Sequence, residues 1–90
     1  MKYKIGDWII YTDKKHSNEW KKTYGISLYG KIGKIIYIDK NLYWPYTIEF
    51  KEFINGHDGR RKGKKGYCEW CEDKEIISLD QLKLKKLIYN

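Results

Sequence analysis

The sequence predicts a mainly β fold: a small, strongly bent barrel of about five strands, with a long first loop and a short helical turn before the last strand. The chain has 90 residues, which suits a single domain over 1–90. Short runs of β-branched and aromatic residues recur along it, separated by glycine, asparagine and aspartate that favour turns. Four Trp, nine Tyr and two Phe supply enough apolar area for a dense core. A barrel also removes the open sheet edges that a small domain must otherwise protect.

The first strand and the segment after it differ in pattern. Residues 4–12 open with a turn-favouring Gly-Asp pair and continue as a β-branched and aromatic run, which predicts strand 1. Residues 13–29 are polar and follow neither the strand period nor the helix period, which predicts the long first loop. Within it, Trp20, Tyr24 and Tyr29 are expected either to cover an end of the core or to line a groove.

Two further strands follow this loop. Residues 30–39 form the most β-like run, and Gly30 and Gly33 predict a bulge or sharp bend at its start. Residues 43–53 alternate apolar and polar side chains, as a half-buried strand does. Pro45 has no N–H to donate, so it is expected at an edge or a bulge of that strand.

The second half of the chain holds a glycine-rich loop and the end of the sheet. Residues 54–66 predict the loop, and 67–71 predict strand 4. The remaining segments are a turn at 72–75, an extended piece at 76–78, a helical or 3-10 turn at 78–81 capped by Ser78, and strand 5 at 82–85. The alternative for the last segment is a short terminal helix over 80–88.

A basic cluster in the glycine-rich loop is the main functional candidate. The chain has a net charge of +7, which favours an acidic partner, or else only keeps the protein dispersed. The cluster comprises Arg60, Arg61, Lys62, Lys64 and Lys65. Such side chains contact phosphates, and the glycines between them let the backbone approach closely. Trp20 and Trp44 are candidates to stack on bases. The alternative is a solvated, mobile charged loop.

The two cysteines have the spacing of half a zinc site. Cys68 and Cys71 are separated by two residues, and His57, Asp58 or His16 could complete the ligand set. In a regular strand, however, the two thiols point to opposite faces. The prediction is therefore no cofactor, with one buried and one edge cysteine, and zinc on Cys68, Cys71 and His57 is the minority alternative.

The sequence gives little support for an enzyme or for a membrane protein. His57 and Asp58 could form an acid–base pair, but no nucleophile or second carboxylate accompanies them, and His57 is expected instead to fix the loop by hydrogen bonding. We therefore predict a protein that is not an enzyme. No stretch reaches membrane-spanning length, so the predicted location is the cytoplasm, without a membrane partner.

The chain resembles SH3-like barrel proteins, in particular small uncharacterised ones found in bacteriophages and mobile elements. The likeness lies in the entry strand 5–11, the second strand 30–35, the Gly-His-Asp-Gly loop 56–59, and the pair Cys68 and Trp70. The chain departs from that pattern at Tyr67, at Glu69 and in the insertion 71–75. The resemblance implies an SH3-like fold and a mobile-element origin, but no defined activity.

Together these observations predict a non-enzymatic, phage or mobile-element binding module in the host cytoplasm. It would bind nucleic acid through the basic loop, with His57, Trp20 and Trp44 alongside. The alternative is a protein-interaction module, such as a small phage inhibitor docking on an acidic host defence or replication protein. The residues proposed to line its groove are Tyr11, Trp20, Trp44 and Tyr46.

Overall fold

Five antiparallel strands form one curled half-barrel in the computed structural model, which describes residues 2–82. The strands are β1 (Trp8–Tyr11), β2 (Ile32–Ile38), β3 (Tyr46–Phe50), β4 (Cys68–Cys71) and β5 (Ile76–Ser78). The order across the sheet is β4-β3-β2-β1-β5. One helix, α1 (Lys14–Tyr24), follows β1, and a 3-10 helix (Asp73–Glu75) precedes β5. The predicted mainly β, small-barrel fold class is confirmed.

Alternating side chains on the inner face of the sheet build the core. Tyr46, Ile48 and Phe50 on β3 are all buried, as the alternating pattern predicts, but Thr47 between them is buried too. Ile9 and Tyr11 on β1 are fully buried against them. The Tyr11 hydroxyl group donates a 2.9 Å hydrogen bond to Oε2 of buried Glu75, and so connects β1 to the 3-10 helix. The core residues also include Tyr3, Trp20, Leu28, Ile35, Ile54, Cys71 and Ile76.

The predicted long first loop is wrong over Lys14–Tyr24, because that segment is helix α1. The Asp13 side chain caps its start by accepting a 3.1 Å hydrogen bond from the His16 N–H. Gly25 ends it in the left-handed conformation, at φ 82°, and its N–H bonds to the Lys21 carbonyl. Buried Trp20 anchors the helix, since its Nε1–H donates to the Ile54 carbonyl at 2.8 Å.

The bulge of β2 lies further along the strand than predicted. The β2–β3 register shifts between Ile35 and Tyr37, and not at Gly30 or Gly33. Gly33 is instead a point of close approach, because a Cβ there would lie 2.6 Å from Cγ2 of Ile48 on β3. Pro45 directly precedes β3, so its missing N–H costs the sheet no hydrogen bond.

The C-terminal part of the described chain differs from the predicted strand 5. The segment predicted as merely extended, Ile76–Ser78, is β5 and pairs antiparallel with β1. Ser78 then caps a helical turn at 79–82, as expected, with its Oγ accepting from the Gln81 N–H at 3.4 Å. A strand beginning at Leu82 is therefore wrong, whereas the rest of 82–85 and of the alternative helix over 80–88 lies outside the described residues.

Within residues 2–82, we find no helix with the length and apolar character that a membrane crossing requires.

Candidate nucleic-acid interface

The basic loop, here residues 58–66, folds back onto the outer face of the sheet. It starts where His57 and Cys68 form an antiparallel bridge along the free edge of β4, with N–H to O distances of 3.0 and 3.1 Å. The Lys64 N–H then donates to Oε2 of Glu49 on β3 at 2.8 Å, and the Gly63 N–H closes the loop on the Asp58 carbonyl at 2.9 Å. These bonds give the loop a defined shape on the sheet.

Two glycines let the loop pack closely on the sheet. A Cβ at Gly63 would lie 2.6 Å from the Cys68 Sγ and 2.7 Å from Cδ1 of Ile36. A Cβ at Gly59 would lie 2.8 Å from Cγ2 of Thr47. The outer face therefore has its own small apolar layer, which explains why Thr47 and Cys68 are buried although they face away from the main core.

The two arginines sit on an unusual piece of backbone. Gly59, Arg60 and Arg61 are consecutive residues in the left-handed region, at φ 60°, 59° and 69°. Each non-glycine residue held there costs roughly 1–2 kcal/mol, which the packing and hydrogen bonds of the loop must offset. As a result the Arg60 guanidinium lies over the Trp70 ring of β4, 5.4 Å from its centroid.

Other cations also lie over aromatic rings of the same sheet. Lys62 lies 4.3 Å from the centroid of Tyr37, and Lys64 lies 4.4 Å from that of Tyr67. Lys34 and Lys51 both approach the ring of Trp8 on β1, at 5.3 and 4.9 Å. We call this surface the basic face and define it by Lys34, Lys51, Arg60, Lys62 and Lys64.

The structure separates the predicted binding residues into exposed and buried ones. All five cations of the predicted cluster are exposed: Arg60, Arg61, Lys62, Lys64 and Lys65. Trp44 is also exposed. Trp20, in contrast, is only 7% exposed and covers the core, which is one of the two roles expected for it. Tyr11 and Tyr46 are fully buried, so the predicted aromatic groove does not form from these residues.

A different aromatic groove lies next to the basic face. It has a volume of about 300 Å³ and is lined by Leu42, Tyr43, Trp44, Arg60 and Trp70. Tyr43 and Trp44 come from the β2–β3 connection and are 72% and 49% exposed. Of its five lining residues, only Trp44 and Arg60 are among the predicted binding residues. In the sequence, the adjacent aromatic residues Tyr43 and Trp44 beside a turn are the signal that indicates such a groove.

A second, smaller cavity adjoins this groove at the edge of β4. It has a volume of about 140 Å³ and is lined by His16, Trp44, Glu69 and Trp70. Trp44 and Trp70 line both depressions, so a ligand that contacts these two rings can extend in either direction. We call the pair of depressions the aromatic groove and the Glu69 cavity.

Glu69 is a largely buried carboxylate between the two histidines of the chain. Its Oε1 accepts a 2.7 Å hydrogen bond from the Trp70 N–H and lies 3.4 Å from Nε2 of His57. Its Oε2 lies 3.6 Å from Nε2 of His16 on α1. Burial raises the pKa of the Glu69 carboxyl, and the Trp70 N–H and the two imidazoles counteract that rise only in part.

His57 fixes the loop by hydrogen bonding, as predicted, and the carboxylate that its ring faces is that of Glu69. Its Nδ1 accepts the Gly59 N–H at 2.9 Å, so in the neutral ring Nε2 carries the proton and points to Glu69. The ring also stacks on Trp70, with centroids 4.0 Å apart. The partner of His57 is therefore Glu69 and not Asp58.

The cysteines lie on opposite sides of β4. Cys71 belongs to the main core, and Cys68 lies under the basic loop. Both are fully buried free thiols, so the expected edge cysteine is wrong. Over residues 2–82, no three His, Cys, Asp or Glu side chains are grouped in a way that could hold a metal ion. The minority alternative of zinc on Cys68, Cys71 and His57 finds no support in this arrangement.

We expect both thiols to be unreactive in the native protein. Burial, followed by the nearby Glu49 carboxylate, raises the pKa of the Cys68 thiol from 9.0 to about 11, and burial raises that of Cys71 well above 9.0. At about pH 8, a thiol with a pKa two units higher has roughly 100-fold less thiolate, so reaction with a disulfide reagent should slow at least that much. The measurement compares native protein with protein in concentrated guanidinium chloride.

The same shift predicts an alkaline loss of stability. Because the folded-state pKa of Cys68 lies above the unfolded value, its contribution to stability is present below pH 9.0 and is lost as the pH rises through about 11. Denaturant unfolding at successive pH values checks this sign. Rapid labelling of either thiol in the native protein at neutral pH would contradict the burial on which both expectations depend.

Comparison with models of protein families, with curated proteins and with solved structures finds no match. The resemblance to SH3-like proteins of bacteriophages and mobile elements therefore stays a prediction.

Proposed function

We propose that this chain is a non-enzymatic module that binds single-stranded nucleic acid. The observation that carries the proposal is the position of Arg60, which lies over Trp70 and lines the aromatic groove while also belonging to the basic face. Single-stranded nucleic acid needs this combination, because its phosphates bind cations and its unpaired bases stack on aromatic rings.

The charge of the surface agrees with such a ligand. The chain carries a net charge of +7, and the exposed cations Arg61 and Lys65 flank the basic face in the same loop. The acidic side chain of Glu49, which lies against the loop, accepts the Lys64 N–H at 2.8 Å. A polyanion passing over the loop would therefore meet cations whose positions the folded loop already restricts, which lowers the entropy lost on binding.

The test removes three charges from the loop without disturbing its backbone. Asparagine tolerates the left-handed region, so R60N/R61N/K62Q keeps the conformation of the loop. The matched control is K15Q/K21Q/K22Q, which removes three exposed lysines of α1. Binding to fluorescent single strands is measured by anisotropy between roughly 50 and 200 mM salt.

We expect the loop variant to lose affinity on the order of tenfold at low salt and to reduce the slope of log affinity against log salt by about two. The α1 variant should keep the slope of the wild type. If the two variants have equal slopes, binding depends on the net charge of the chain and not on the basic loop. If the wild type does not bind at low salt, the proposal is rejected.

A protein-interaction module is the second candidate function. The observation that favours it is the exposed apolar cluster Leu42, Tyr43 and Trp44, which is large for so small a surface. A mobile-element inhibitor that docks on a host protein through apolar contacts would use the same cluster. The salt titration separates the two candidates, because this cluster carries no charge and its contacts should depend little on salt.

A further inference from the structure

We infer that the Glu69 cavity is a base site selective for guanine in a single strand. This inference rests on the proposed function and adds a base preference to it. The cavity joins the aromatic groove through Trp44 and Trp70, so a strand whose phosphate contacts Arg60 can place a base in it. Its volume of about 140 Å³ is well below the roughly 300–1,000 Å³ of sites for drug-sized ligands, and it suits one base.

The walls of the cavity suit a flat aromatic ligand. Trp44 is half exposed, and its indole shares the cavity with that of Trp70. The ring of Trp70 is restricted by its contacts with the ring of His57, whose centroid lies 4.0 Å away, and with the Arg60 guanidinium, 5.4 Å away. A ring fixed in this way loses little freedom when a base stacks on it, and each stacked base contributes about 1–3 kcal/mol.

The polar lining of the cavity determines which base fits. A carboxylate only accepts hydrogen bonds, and guanine is the common base whose Watson–Crick edge presents two adjacent donors, N1–H and N2–H. Adenine, cytosine and uracil place acceptors next to their donors, and these would face the carboxylate unfavourably. Oε1 of Glu69 already accepts from the Trp70 N–H and faces Nε2 of His57 at 3.4 Å, whereas Oε2 makes no hydrogen bond within residues 2–82 and is the oxygen that can accept from the base.

His16 extends the match to the remaining atom of the guanine edge. Its Nε2 lies 3.6 Å from Oε2 of Glu69, longer than a hydrogen bond, and the imidazole lines the same cavity. The cavity thus presents a donor, the His16 imidazole, beside an acceptor, the Glu69 carboxylate. Guanine requires this order, because its O6 accepts a hydrogen bond and its neighbouring N1–H donates one. Glu69 is thus the residue that selects the base, and His16 is a neighbouring donor to O6.

The experiment measures base preference with strands of about eight nucleotides, in DNA and RNA forms. Each strand is a run of thymine or uracil with guanine, adenine, cytosine or hypoxanthine at its centre. We expect the guanine strand to bind at least about fivefold more tightly than the unsubstituted one. Hypoxanthine keeps N1–H but lacks the N2 amino group. The strand that contains it should bind with an affinity between those of the guanine strand and the unsubstituted strand.

The variant Glu69→Gln replaces the acceptor pair by an amide and should abolish the guanine preference. The affinity of the variant for the unsubstituted strand is measured alongside, so that loss of the preference is distinguished from a general loss of binding. The matched control is Glu19→Gln, which removes the exposed carboxylate on the other side of His16, at 3.9 Å, and should keep the preference. The hypoxanthine series uses wild-type protein, so it tests the site even if the Glu69 variant folds poorly.

The outcomes distinguish this inference from the function on which it rests. Strands that bind with equal affinity whatever the central base would overturn the guanine site and leave the nucleic-acid proposal standing. A preference that survives Glu69→Gln would overturn the role of this carboxylate. If no strand binds at low salt, both fail together.

Discussion

Trp20→Ala is expected to destabilise the protein by about 3–5 kcal/mol, the usual cost of removing a buried Trp side chain. Trp20 is the main apolar anchor of α1, with its ring 7% exposed and 4.2 Å from that of Tyr24. Its Nε1–H also satisfies the carbonyl of buried Ile54, at the entry to the basic loop. The substitution would leave a cavity and an unpaired carbonyl at once, and we expect α1 to separate from the barrel.

The measurement is urea unfolding, combined with hydrogen exchange of the α1 amides in the native protein. Trp20→Phe should cost less, because it keeps part of the packing and loses the hydrogen bond. Trp44→Ala is the matched control, since the exposed Trp44 ring adds little to the core and should change stability by less than about 1 kcal/mol. Equal unfolding midpoints for Trp20→Ala and Trp44→Ala would show that α1 does not depend on this anchor.

Gly56→Ala is expected to destabilise the protein by about 3 kcal/mol, which corresponds to a fall in Tm on the order of 15 °C for a domain of this size. A Cβ at Gly56 would clash with the backbone carbonyl of Cys68, and backbone atoms cannot rotate away as a side chain can. The next residue, His57, makes both bridge hydrogen bonds to Cys68. Opening that bridge would also move the His57 ring away from Trp70.

Gly30→Ala provides the comparison for this substitution. Gly30 has φ 79°, but a Cβ there would meet nothing within 4 Å, so its replacement costs only the backbone term of roughly 1–2 kcal/mol. Thermal unfolding of the two variants isolates the steric contribution at Gly56. If both variants melt at the same temperature, the close approach to Cys68 does not limit stability.

The strands could be predicted from sequence because their periodicity is local. Tyr46, Ile48 and Phe50 alternate with polar residues, and the structure buries all three. Helix α1 could not be predicted in the same way, since it has few apolar residues on its inner face. Its inner face is completed by Ser17, whose Oγ accepts the N–H groups of Leu28 and Tyr29 at 2.9 and 2.8 Å. These are tertiary contacts, and the periodicity of apolar residues in the sequence does not indicate them.

The helix nevertheless had end signals in the sequence. Asp13 is a favoured N-cap residue and Gly25 a favoured C-terminal residue, and the structure uses them in those roles. The polar composition between them outweighed these signals, because pattern analysis gives the most weight to apolar periodicity. A test for paired caps would have found α1.

The candidate site was predictable only in part, for a related reason. The cations from Arg60 to Lys65 are neighbours in the sequence, so their cluster can be recognised without knowing the fold. The structure exposes all five of them. The Glu69 cavity depends instead on bringing together α1, the β2–β3 connection and β4, and therefore on long-range packing. The sequence leaves two roles open for Trp20, since an aromatic residue in a polar segment suits a binding surface as well as a core, and burial alone distinguishes the two.

The bridge between His57 and Cys68 has a consequence for self-association. Within residues 2–82, β4 is the last strand on its side of the sheet, and unpaired backbone groups on such a strand can template the addition of another copy. His57 occupies these groups at Cys68, and the positive charge that follows it repels a second identical chain. The loop therefore reduces the number of unpaired backbone groups that β4 offers to a second copy of the chain.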